Sequence, residues 1–230
     1  MFKDLILKYI RKTKNKKFEF DEKVTSSILV SLLAIKFCSL IRSLKFYFIR
    51  NRGKFLFLGR GVQFFNKKNI QFGKNVNIGD YVKLSAFGKG KLEIGNNVNI
   101  GSFSQIIIST SFNNIGEHIK IGNDVGMGEF AYIGGGGGTI IGAHTIIGQY
   151  FSVHPENHNF SDNVILIREQ GVSRKGIQIG ENCWIGAKVT ILDGVVIGNN
   201  CVIAARSVVI KSFPKNSVIG GVPAKLIKNR

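Results

Sequence analysis

The sequence predicts a mainly β fold, a solenoid of six-residue units with a helical extension at its N-terminus. Ile-Gly pairs recur through the chain, and several adjacent pairs begin six residues apart, as at Ile94 and Ile100 or Ile179 and Ile185. The composition is rich in glycine, with 28 Gly against 3 Pro. The first fifty residues lack the repeat and show a helical pattern. At 230 residues, the chain has room for one substantial domain and an extension.

The six-residue unit itself predicts a triangular coil. Aligned hexads such as IGNNVN, IGAHTI and IGENCW place an aliphatic residue first, a small residue second and a small or β-branched residue fifth. A helical period of 3.6 cannot keep the first and fifth positions on one face, whereas a hexad fits one flat side of a triangular solenoid. We expect the aliphatic side chain to point inward and the Gly or Ala to allow the corner. Residues 18 apart should then stack at about the 4.8 Å spacing of strands.

The cysteines fit this geometry. Cys183 and Cys201 are both fifth residues, 18 positions apart, which predicts stacked and reduced side chains in the core. A metal or redox role is the weaker alternative, because the spacing is not that of a CxxC pair. With Cys38, the three cysteines provide no framework for a disulfide-rich domain.

Two irregularities interrupt the repeat, which runs from about Phe57 to Ile219. The five glycines 134–138 indicate a tight or bulged corner where backbone passes close to another group. A phosphate-binding loop is the alternative, but the Lys-Ser/Thr pair and following helix are missing. After Val153 the next clear hexad begins at Ile179, so residues 154–176, which begin with HPENHNF, should form a projecting loop.

The predicted organisation is therefore a basic helical extension at 1–54, a β-helix domain at 55–222 and a tail at 223–230. Within the extension, a helix is expected from Ile28 to Arg50, too often interrupted by charge to span a bilayer. It would either cap the open end of the solenoid or adsorb to an anionic membrane surface through Lys36, Arg42, Lys45 and Arg50. Its two predicted faces are polar (Ser31, Lys36, Ser39, Arg42, Ser43, Arg50) and apolar (Leu33, Phe37, Leu40, Leu44, Phe48).

The formal charge of +18 implies attraction to polyanions. Nucleic acid is not favoured as the partner, because the chain shows no basic helix interleaved with aromatic residues and no zinc-ligand spacing. The basic, mixed N-terminus lacks the apolar core of a cleavable signal peptide. These features predict a cytoplasmic protein, with the inner face of the membrane as a peripheral site.

The stretch IGENCWIGAKVTILDGVVIGNNCVIAARSVVIKSFPKNSVIGGVPAKLIK resembles the C-terminal coils of hexapeptide-repeat acetyltransferases, which are left-handed parallel β-helix enzymes. Within them it is most similar to the galactoside and maltose O-acetyltransferases and to relatives that acetylate surface polysaccharides. The resemblance covers residues 55–228 and is most specific over 177–228. It implies acetyl-CoA as co-substrate, a homotrimer, and active sites between neighbouring solenoids.

The resemblance also implies that a loop histidine is the general base. A gapless alignment from IGAHTIIGQ places it at His158, whereas the HP pair of the family motif favours His154. An imidazole with a pKa near 6.5 can accept a proton from a hydroxyl at pH 7. Glu156 or a backbone carbonyl would hold its tautomer. A backbone N–H near Gly186 or Ala187 would stabilise the oxyanion.

The positions implied to contact CoA lie in the last coils. They are Trp184, Gly186, Ala187, Ala205, Arg206, Ile210, Lys211, Lys225 and Lys228. The chain departs from the family at Arg206, where a Gly is usual. The Asn and Asp that bind the acceptor in the family have no convincing match here, so the acceptor is expected to differ.

The expected function is acetyl-CoA-dependent O-acetylation of a sugar hydroxyl, by direct transfer, on a surface polysaccharide or its precursor. N-acetylation of an amino sugar or sugar nucleotide by the same machinery is the alternative. Two further interpretations of the same fold are a metalloenzyme of the γ-carbonic-anhydrase type and a non-catalytic scaffold. No metal is expected, and no role is assigned to His118 or His144.

Overall fold

The computed structural model describes residues 2–13, 17–44 and 53–230 of the chain. These described residues begin with two α-helices, α1 (Phe2–Thr13) and α2 (Ser26–Ser43). Thr25 caps α2, because its hydroxyl accepts a hydrogen bond from the Ile28 N–H at 3.3 Å. Everything after residue 53 belongs to short strands, turns and two single-turn 3₁₀ helices, at Lys67–Asn69 and Ile167–Glu169.

Within the described residues 53–230 there are twenty-four strands. In chain order they are β1 (Leu56–Leu58), β2 (Gln63–Phe65), β3 (Ile70–Phe72), β4 (Val76–Ile78), β5 (Lys83–Ser85), β6 (Leu92–Ile94), β7 (Asn99–Ile100), β8 (Gln105–Ile107), β9 (Ile119–Ile121), β10 (Gly126–Met127), β11 (Tyr132–Gly134), β12 (Thr139–Ile141), β13 (Ile146–Ile147), β14 (Ser152–His154), β15 (Asn157–His158), β16 (Val172–Ser173), β17 (Ile177–Ile179), β18 (Trp184–Ile185), β19 (Thr190–Leu192), β20 (Val196–Ile197), β21 (Val202–Ile203), β22 (Val208–Val209), β23 (Ser217–Gly221) and β24 (Ala224–Asn229).

Apart from the separate antiparallel pair of β15 and β16, the strands build three sheets that form the walls of a triangular prism. All neighbours in these sheets are parallel except β24, which is antiparallel to β23. Sheet A has the order β1-β4-β7-β10-β13-β18-β21-β23-β24, sheet B the order β2-β5-β8-β11-β14-β19-β22, and sheet C the order β3-β6-β9-β12-β17-β20. The chain visits sheets A, B and C in turn, so each circuit is one coil. This is the β-solenoid predicted from the hexads.

The leading aliphatic residues of the hexads fill the interior. Ile141, Ile147 and Val153 occupy successive walls of one coil, and all three are buried. They belong to one continuous hydrophobic core that runs from Leu56 to Ala224. The fifth residues fill the remaining space: Cys183 and Cys201 are 2% and 0% exposed, and both are free thiols. This confirms the predicted reduced core pair.

The three edges of the prism differ in regularity. We call them the asparagine edge (between sheets C and A), the aromatic edge (between A and B) and the loop edge (between B and C). Inward-facing residues are six positions apart across the first two edges, as from Ile141 to Ile147 and on to Val153. Across the loop edge, six residues separate Ile191 from Ile197, and twenty-six separate Val153 from Ile179. The predicted 18-residue stacking therefore holds only in the last full coils, as between Trp184 and Val202.

The glycines of the Ile-Gly pairs do not supply the left-handed conformation at the corners. Most left-handed φ values fall on other residues, including Asn97 (56°), Asn182 (54°) and Asn200 (61°) at the asparagine edge, although Gly61 (61°) takes this role at one corner of the aromatic edge. Asparagine tolerates this conformation, and its side chain pairs with the next coil, as in Asn182 to Asn200 at 2.8 Å. Glycine is needed for a different reason: a Cβ on Gly142 would lie 2.5 Å from the Gly180 carbonyl carbon one coil away.

Four rings stack along the aromatic edge. Tyr81, Phe103, Phe130 and Tyr150 occupy successive coils with centroids 5.4, 5.0 and 4.9 Å apart and nearly parallel planes. Their ring faces contact one another, so mainly their edges meet solvent. The column continues with Lys188, whose ammonium lies 5.5 Å from the Tyr150 centroid.

Helix α2 covers the first coil with the face that was expected to be polar. Arg42 Nε donates to the Leu58 carbonyl at 2.7 Å, Lys36 Nζ donates to Asn77 Oδ1, and Ser39 and Ser43 are buried. The predicted apolar face points outward, with Phe37 63% exposed. The sequence predicts a helix to residue 50 that carries too many charges to span a bilayer. The observed helix, Ser26–Ser43, carries only two charges, and by length and composition alone it could cross a membrane. The predicted positions Lys45, Phe48 and Arg50 lie outside the described residues.

The last residues form a strand, although the sequence suggested a separate tail at 223–230. Strand β24 turns back antiparallel on β23 and pairs Ser217 with Asn229 and Gly220 with Lys225. The Val222–Pro223 peptide bond is cis. Ala224 is buried at the base of this hairpin.

Candidate active site

The chain leaves the coil directly after His154, at the loop edge. His154 ends β14, and β15 then pairs antiparallel with β16, with His158 opposite Val172. The chain rejoins the solenoid at Ile177. Between this projecting loop and the preceding coils lies a cavity of ≈ 260 Å³. Its lining includes His154, His158, Glu156 and Arg174, together with glycines 134–136 and the serine-containing segment 107–111.

His154 is held against the wall of sheet B. Its ring stacks on Tyr132, with centroids 5.3 Å apart and planes 21° apart. Partial burial lowers the pKa of His154, so its imidazole is neutral at pH 7. Burial and the nearby carboxylate of Glu156 raise the pKa of Tyr132, whose phenol therefore stays protonated.

His158 lies at the mouth of the same cavity. Its side chain is exposed, and its imidazole makes no hydrogen bond to the part of the chain that the structure describes. The strand pairing of β15 with β16 fixes its backbone. Both ring nitrogens are thus open to a substrate or to a group from another chain.

Glu156 has a different partner from the one the sequence suggested. Its Oε2 accepts from Arg174 Nε at 2.6 Å and lies 2.5 Å from Arg174 Nη2, rather than contacting an imidazole. Arg174 also donates to the Asn114 carbonyl at 3.0 Å and the Ile115 carbonyl at 3.1 Å. The guanidinium therefore ties the projecting loop to the turn at 109–115. Sequence reasoning missed Arg174 and had no signal to find it, because these carbonyl partners lie about sixty residues earlier.

Gly134, Gly135 and Gly136 of the five-glycine run form the floor of this cavity. A Cβ on Gly135 would lie 2.8 Å from the Ile108 Cα, and one on Gly137 would lie 2.6 Å from the Pro155 carbonyl oxygen. Gly136 is similarly close to the Glu156 carboxylate. This is the tight corner that the sequence indicated, and larger residues would push the projecting loop away.

Some of the residues implied to contact CoA lie on another side of the prism. Trp184 stands on the outer face of sheet A and is 60% exposed, with Ala187 and Ala205 just beyond it at the aromatic edge. The Gly186 N–H donates to the Ile203 carbonyl at 2.8 Å, so it is not free to bind an oxyanion. The Ala187 N–H makes no hydrogen bond within the described residues. Arg206 occupies the corner itself, with φ of 61°.

The remaining implied residues lie elsewhere again. Ile210 and Lys211 follow β22 at the loop edge, where the Lys211 ammonium lies 5.7 Å from the Phe213 ring centroid. Lys225 and Lys228 are exposed on β24. Sheet B separates the aromatic edge from the loop edge, so one chain does not gather these groups around the histidines. Within the described residues, no group of three or more His, Cys, Asp or Glu side chains is placed to hold a metal ion.

Comparisons with known proteins agree with this architecture. Residues 176–211 match the family described as bacterial transferase hexapeptide (six repeats). WbbJ of Escherichia coli K12, named as a lipopolysaccharide biosynthesis O-acetyl transferase, is 29% identical over 71% of this chain and 73% of its own length. WcaF of the same organism, named as a colanic acid biosynthesis acetyltransferase, is 33% identical over 50% of this chain. The chain spans 58% of WcaF and 30% of the Mycobacterium tuberculosis relative Rv3034c.

A solved structure shares the fold. A single-site mutant of AntD, an N-acyltransferase from Bacillus cereus, superposes with a TM-score of 0.53 at 25% identity, over 83% of this chain and 89% of AntD. That structure is a complex with dTDP-4-amino-4,6-dideoxyglucose and coenzyme A. The matched repeat over residues 176–211, the triangular coils and these relatives show that the chain has the left-handed β-helix fold and is similar to the hexapeptide-repeat transferases.

Proposed function

We propose that the protein is an acetyl-CoA-dependent O-acetyltransferase that acts on a sugar hydroxyl of a surface polysaccharide or its precursor. The observation that carries the proposal is the cavity at the loop edge, where the coil opens and two histidines converge. The names of WbbJ and WcaF support the glycan acceptor. The CoA in the AntD complex supports the donor.

The active site is completed by a neighbouring copy of the chain. His158 lies at the loop edge, and Trp184 with the free Ala187 N–H lies across the prism toward the aromatic edge. A cyclic trimer would place the loop edge of one chain against the aromatic edge of the next. This arrangement brings together the base of one subunit and the oxyanion donor of another.

The reaction needs one base and one hydrogen-bond donor. Acetyl-CoA supplies the acetyl group as a thioester. The His158 imidazole accepts the proton of the sugar hydroxyl as that oxygen attacks the carbonyl carbon. The Ala187 N–H donates to the oxygen that becomes negative, and the imidazolium returns its proton to the departing sulfur. Because Glu156 is occupied by Arg174 and the His158 ring has no hydrogen-bond partner in the described residues, we propose that a carbonyl of the neighbouring chain fixes the tautomer of the base.

His154 has a supporting role in this proposal. Its stacking on Tyr132 fixes its ring in the cavity wall, where a neutral imidazole can accept a hydrogen bond from the acceptor sugar. Lys225 and Lys228, exposed at the base of sheet A, are the proposed contacts for CoA phosphates, with Arg206 and Lys211 as further cations.

N-acetylation of an amino sugar is the second candidate, favoured by the amino sugar in the AntD complex. Release of CoA should be measured with paired acceptors that carry a hydroxyl or an amine at one position. We expect turnover on the hydroxyl sugars. Turnover confined to the amino sugars would replace the first proposal with the second, and hydrolysis or no turnover would reject both.

We also propose that the protein works in the cytoplasm at the inner membrane, through α2. The basic side chains Lys36 and Arg42 contact the first coil, so the outward face is apolar, with Leu33 and Phe37 exposed. Contact with lipid would then depend on apolar insertion more than on charge. In vesicle flotation, we expect binding to both neutral and anionic vesicles that survives high salt. Binding only to anionic vesicles at low salt would restore the electrostatic mode expected from sequence.

The matched variants are Phe37→Lys, on the outward face, and Lys120→Ala, on the exposed face of sheet C. The first should remove flotation and the second should leave it unchanged. If wild-type protein binds none of the vesicles, the membrane proposal is wrong.

A further inference from the structure

Sheet B carries a second cavity beside the histidine site. It encloses ≈ 410 Å³ on the outer face of the early coils. Its lining combines aromatic rings with polar side chains, chiefly Phe64, Phe65, Phe87, Phe112, Gln63 and Lys83. The reaction proposed above uses none of these residues.

The two cavities are adjacent on the same wall and share part of their lining. Ile107, Ser109 and Thr110 line both of them. Phe65, in the second cavity, is in register with Ser85, then with Ile107, and then with Gly134 on the floor of the first. Three strand spacings of about 4.8 Å place the far end about 14 Å from that floor. A molecule bound at His158 could therefore extend along the wall into the second cavity.

The aromatic groups form a cluster that is left open to solvent. The Phe87 ring lies 5.9 Å from that of Phe65 and 4.9 Å from that of Phe112. Phe112 is 79% exposed on the turn that Arg174 anchors. These rings differ from the column at the aromatic edge, where parallel faces cover one another, because here the planes are tilted and faces remain accessible.

This combination suits a carbohydrate. A sugar ring has a face of C–H groups that packs on an aromatic ring, and hydroxyls at its rim that hydrogen-bond to polar side chains. Ligand sites generally combine apolar walls with a few placed polar groups, which Gln63, Lys83 and Ser109 provide here. A nucleotide diphosphate would need several converging cations, and Lys83 is the one cationic side chain in the described lining.

We infer that this second cavity, the aromatic subsite, binds further sugar units of an acceptor glycan whose reacting unit lies at the histidines. The inference rests on the proposed function and narrows it: the acceptor is an oligosaccharide or polymer rather than a monosaccharide. The turn at 109–115 then contacts both the reacting unit and its neighbour, which explains why Arg174 holds it in place.

The test is binding to a glycan array that carries matched mono- and tetrasaccharides of hexoses and N-acetylhexosamines. We expect the wild-type protein to bind at least one tetrasaccharide about fivefold more strongly than its monosaccharide. The double variant Phe65→Ala/Phe112→Ala should reduce that ratio to about one. Phe18→Ala, which removes a ring from the N-terminal segment, should leave the ratio unchanged.

Three results would overturn the inference. The first is that the wild-type protein shows no preference for the tetrasaccharide, and the second is that the double variant keeps that preference. The third is a change in the oligomer mass of the double variant, which would assign the rings to a contact between copies of the chain. Because binding is measured without acetyl-CoA, these results are separate from the proposed function. A protein that binds long glycans but never acetylates them would retain the aromatic subsite and reject the enzyme.

Discussion

The asparagine edge and the loop edge turn the same chain through the same prism in different ways. Every turn at the asparagine edge has one length, and side chains bond from coil to coil, as in Asn75 to Asn97 at 3.0 Å. At the loop edge the turns differ in length, and the bonds of Arg174 join one loop to another. The asparagine edge keeps the coils in register, whereas the loop edge carries the histidine cavity. The loops around the histidines can therefore change in length without disturbing the pairing of the coils.

The largest expected effect is at the loop edge. His158→Ala should lower kcat by at least about a hundredfold, because the base is lost while the donor site remains intact. Steady-state kinetics with acetyl-CoA and a glycan acceptor would measure it. His154→Ala should act more weakly, mainly on the acceptor KM. An active His158→Ala enzyme beside a dead His154→Ala enzyme would reverse the two assignments.

The second prediction uses both edges at once. If each site combines His158 of one chain with Trp184 of the next, an inactive His158→Ala chain and a weakened Trp184→Ala chain should complement each other. Refolding a one-to-one mixture should restore about a quarter of wild-type activity, because random cyclic assembly pairs the two intact halves in one site of four. Mixing without unfolding is the control. Failure to recover activity from mixed trimers would place the whole site within one chain.

The third prediction concerns the regular edges. Gly142→Ala should destabilise the fold by about 2–3 kcal/mol, because the new Cβ would meet backbone 2.5 Å away in the next coil. Gly126→Ala is the matched control: its Cβ would meet open space, so stability should change by less than about 1 kcal/mol. Thermal unfolding would measure both. Equal midpoints for the two variants would show that the coils can separate to admit a methyl group.

The fourth prediction concerns the anchor of the projecting loop. Arg174→Met should lower kcat/KM about tenfold by displacing the histidines. It should also lower stability by about 1–3 kcal/mol, because the Arg174 side chain is only 15% exposed and its loss leaves the Glu156 carboxylate without its donor. Arg168→Met, on the same loop, should have little effect. Hydrogen exchange of residues 154–176 should rise in the first variant alone. Unchanged exchange with lost activity would instead indicate direct contact of Arg174 with substrate.

The smallest effect concerns His154. Partial burial lowers its pKa in the folded protein, so the folded state binds fewer protons than the unfolded chain. Its contribution to stability is therefore unfavourable at low pH and disappears as pH rises through the unfolded value near 6.5. An NMR titration should give His154 a pKa below 6.5, and Tyr132→Ala should raise that pKa because the ring is then more exposed. A midpoint at or above 6.5 in the wild-type protein would contradict the burial.

The coils were predictable because every hexad places an aliphatic residue where it must face the core. Since this pattern recurs many times, one irregular hexad does not obscure it. The inward aliphatic residues and the Cys183–Cys201 stack follow from period alone. The reason for the glycines was not predictable, because the closeness of Gly142 to the next coil depends on coil spacing and not on local sequence. The orientation of α2 was also missed: a helical pattern gives two faces but not which one meets the solenoid.

The candidate site was less accessible to sequence analysis. Both histidines could be located, because they fall where the repeat stops. The partner of Glu156 could not, since Arg174 is eighteen residues away and its remaining bonds reach back to Asn114. The aromatic subsite joins residues from three coils, and no local pattern links Phe65 to Phe112. The turns of the loop edge differ in length, so the contacts between their residues can be found only from the three-dimensional structure.

The two ends of sheet A have a consequence for the behaviour of the protein at high concentration. A parallel sheet ending in bare backbone would be a template for end-to-end addition of further copies and for fibre growth. Helix α2 lies over the strand at one end, where Arg42 bonds to the carbonyl of Leu58. At the other end, the reversed strand β24 closes the last parallel strand with an antiparallel partner. Helix α2 and β24 therefore cover both ends of sheet A, and truncation before residue 224 should make the protein more prone to polymerise, which sedimentation would measure.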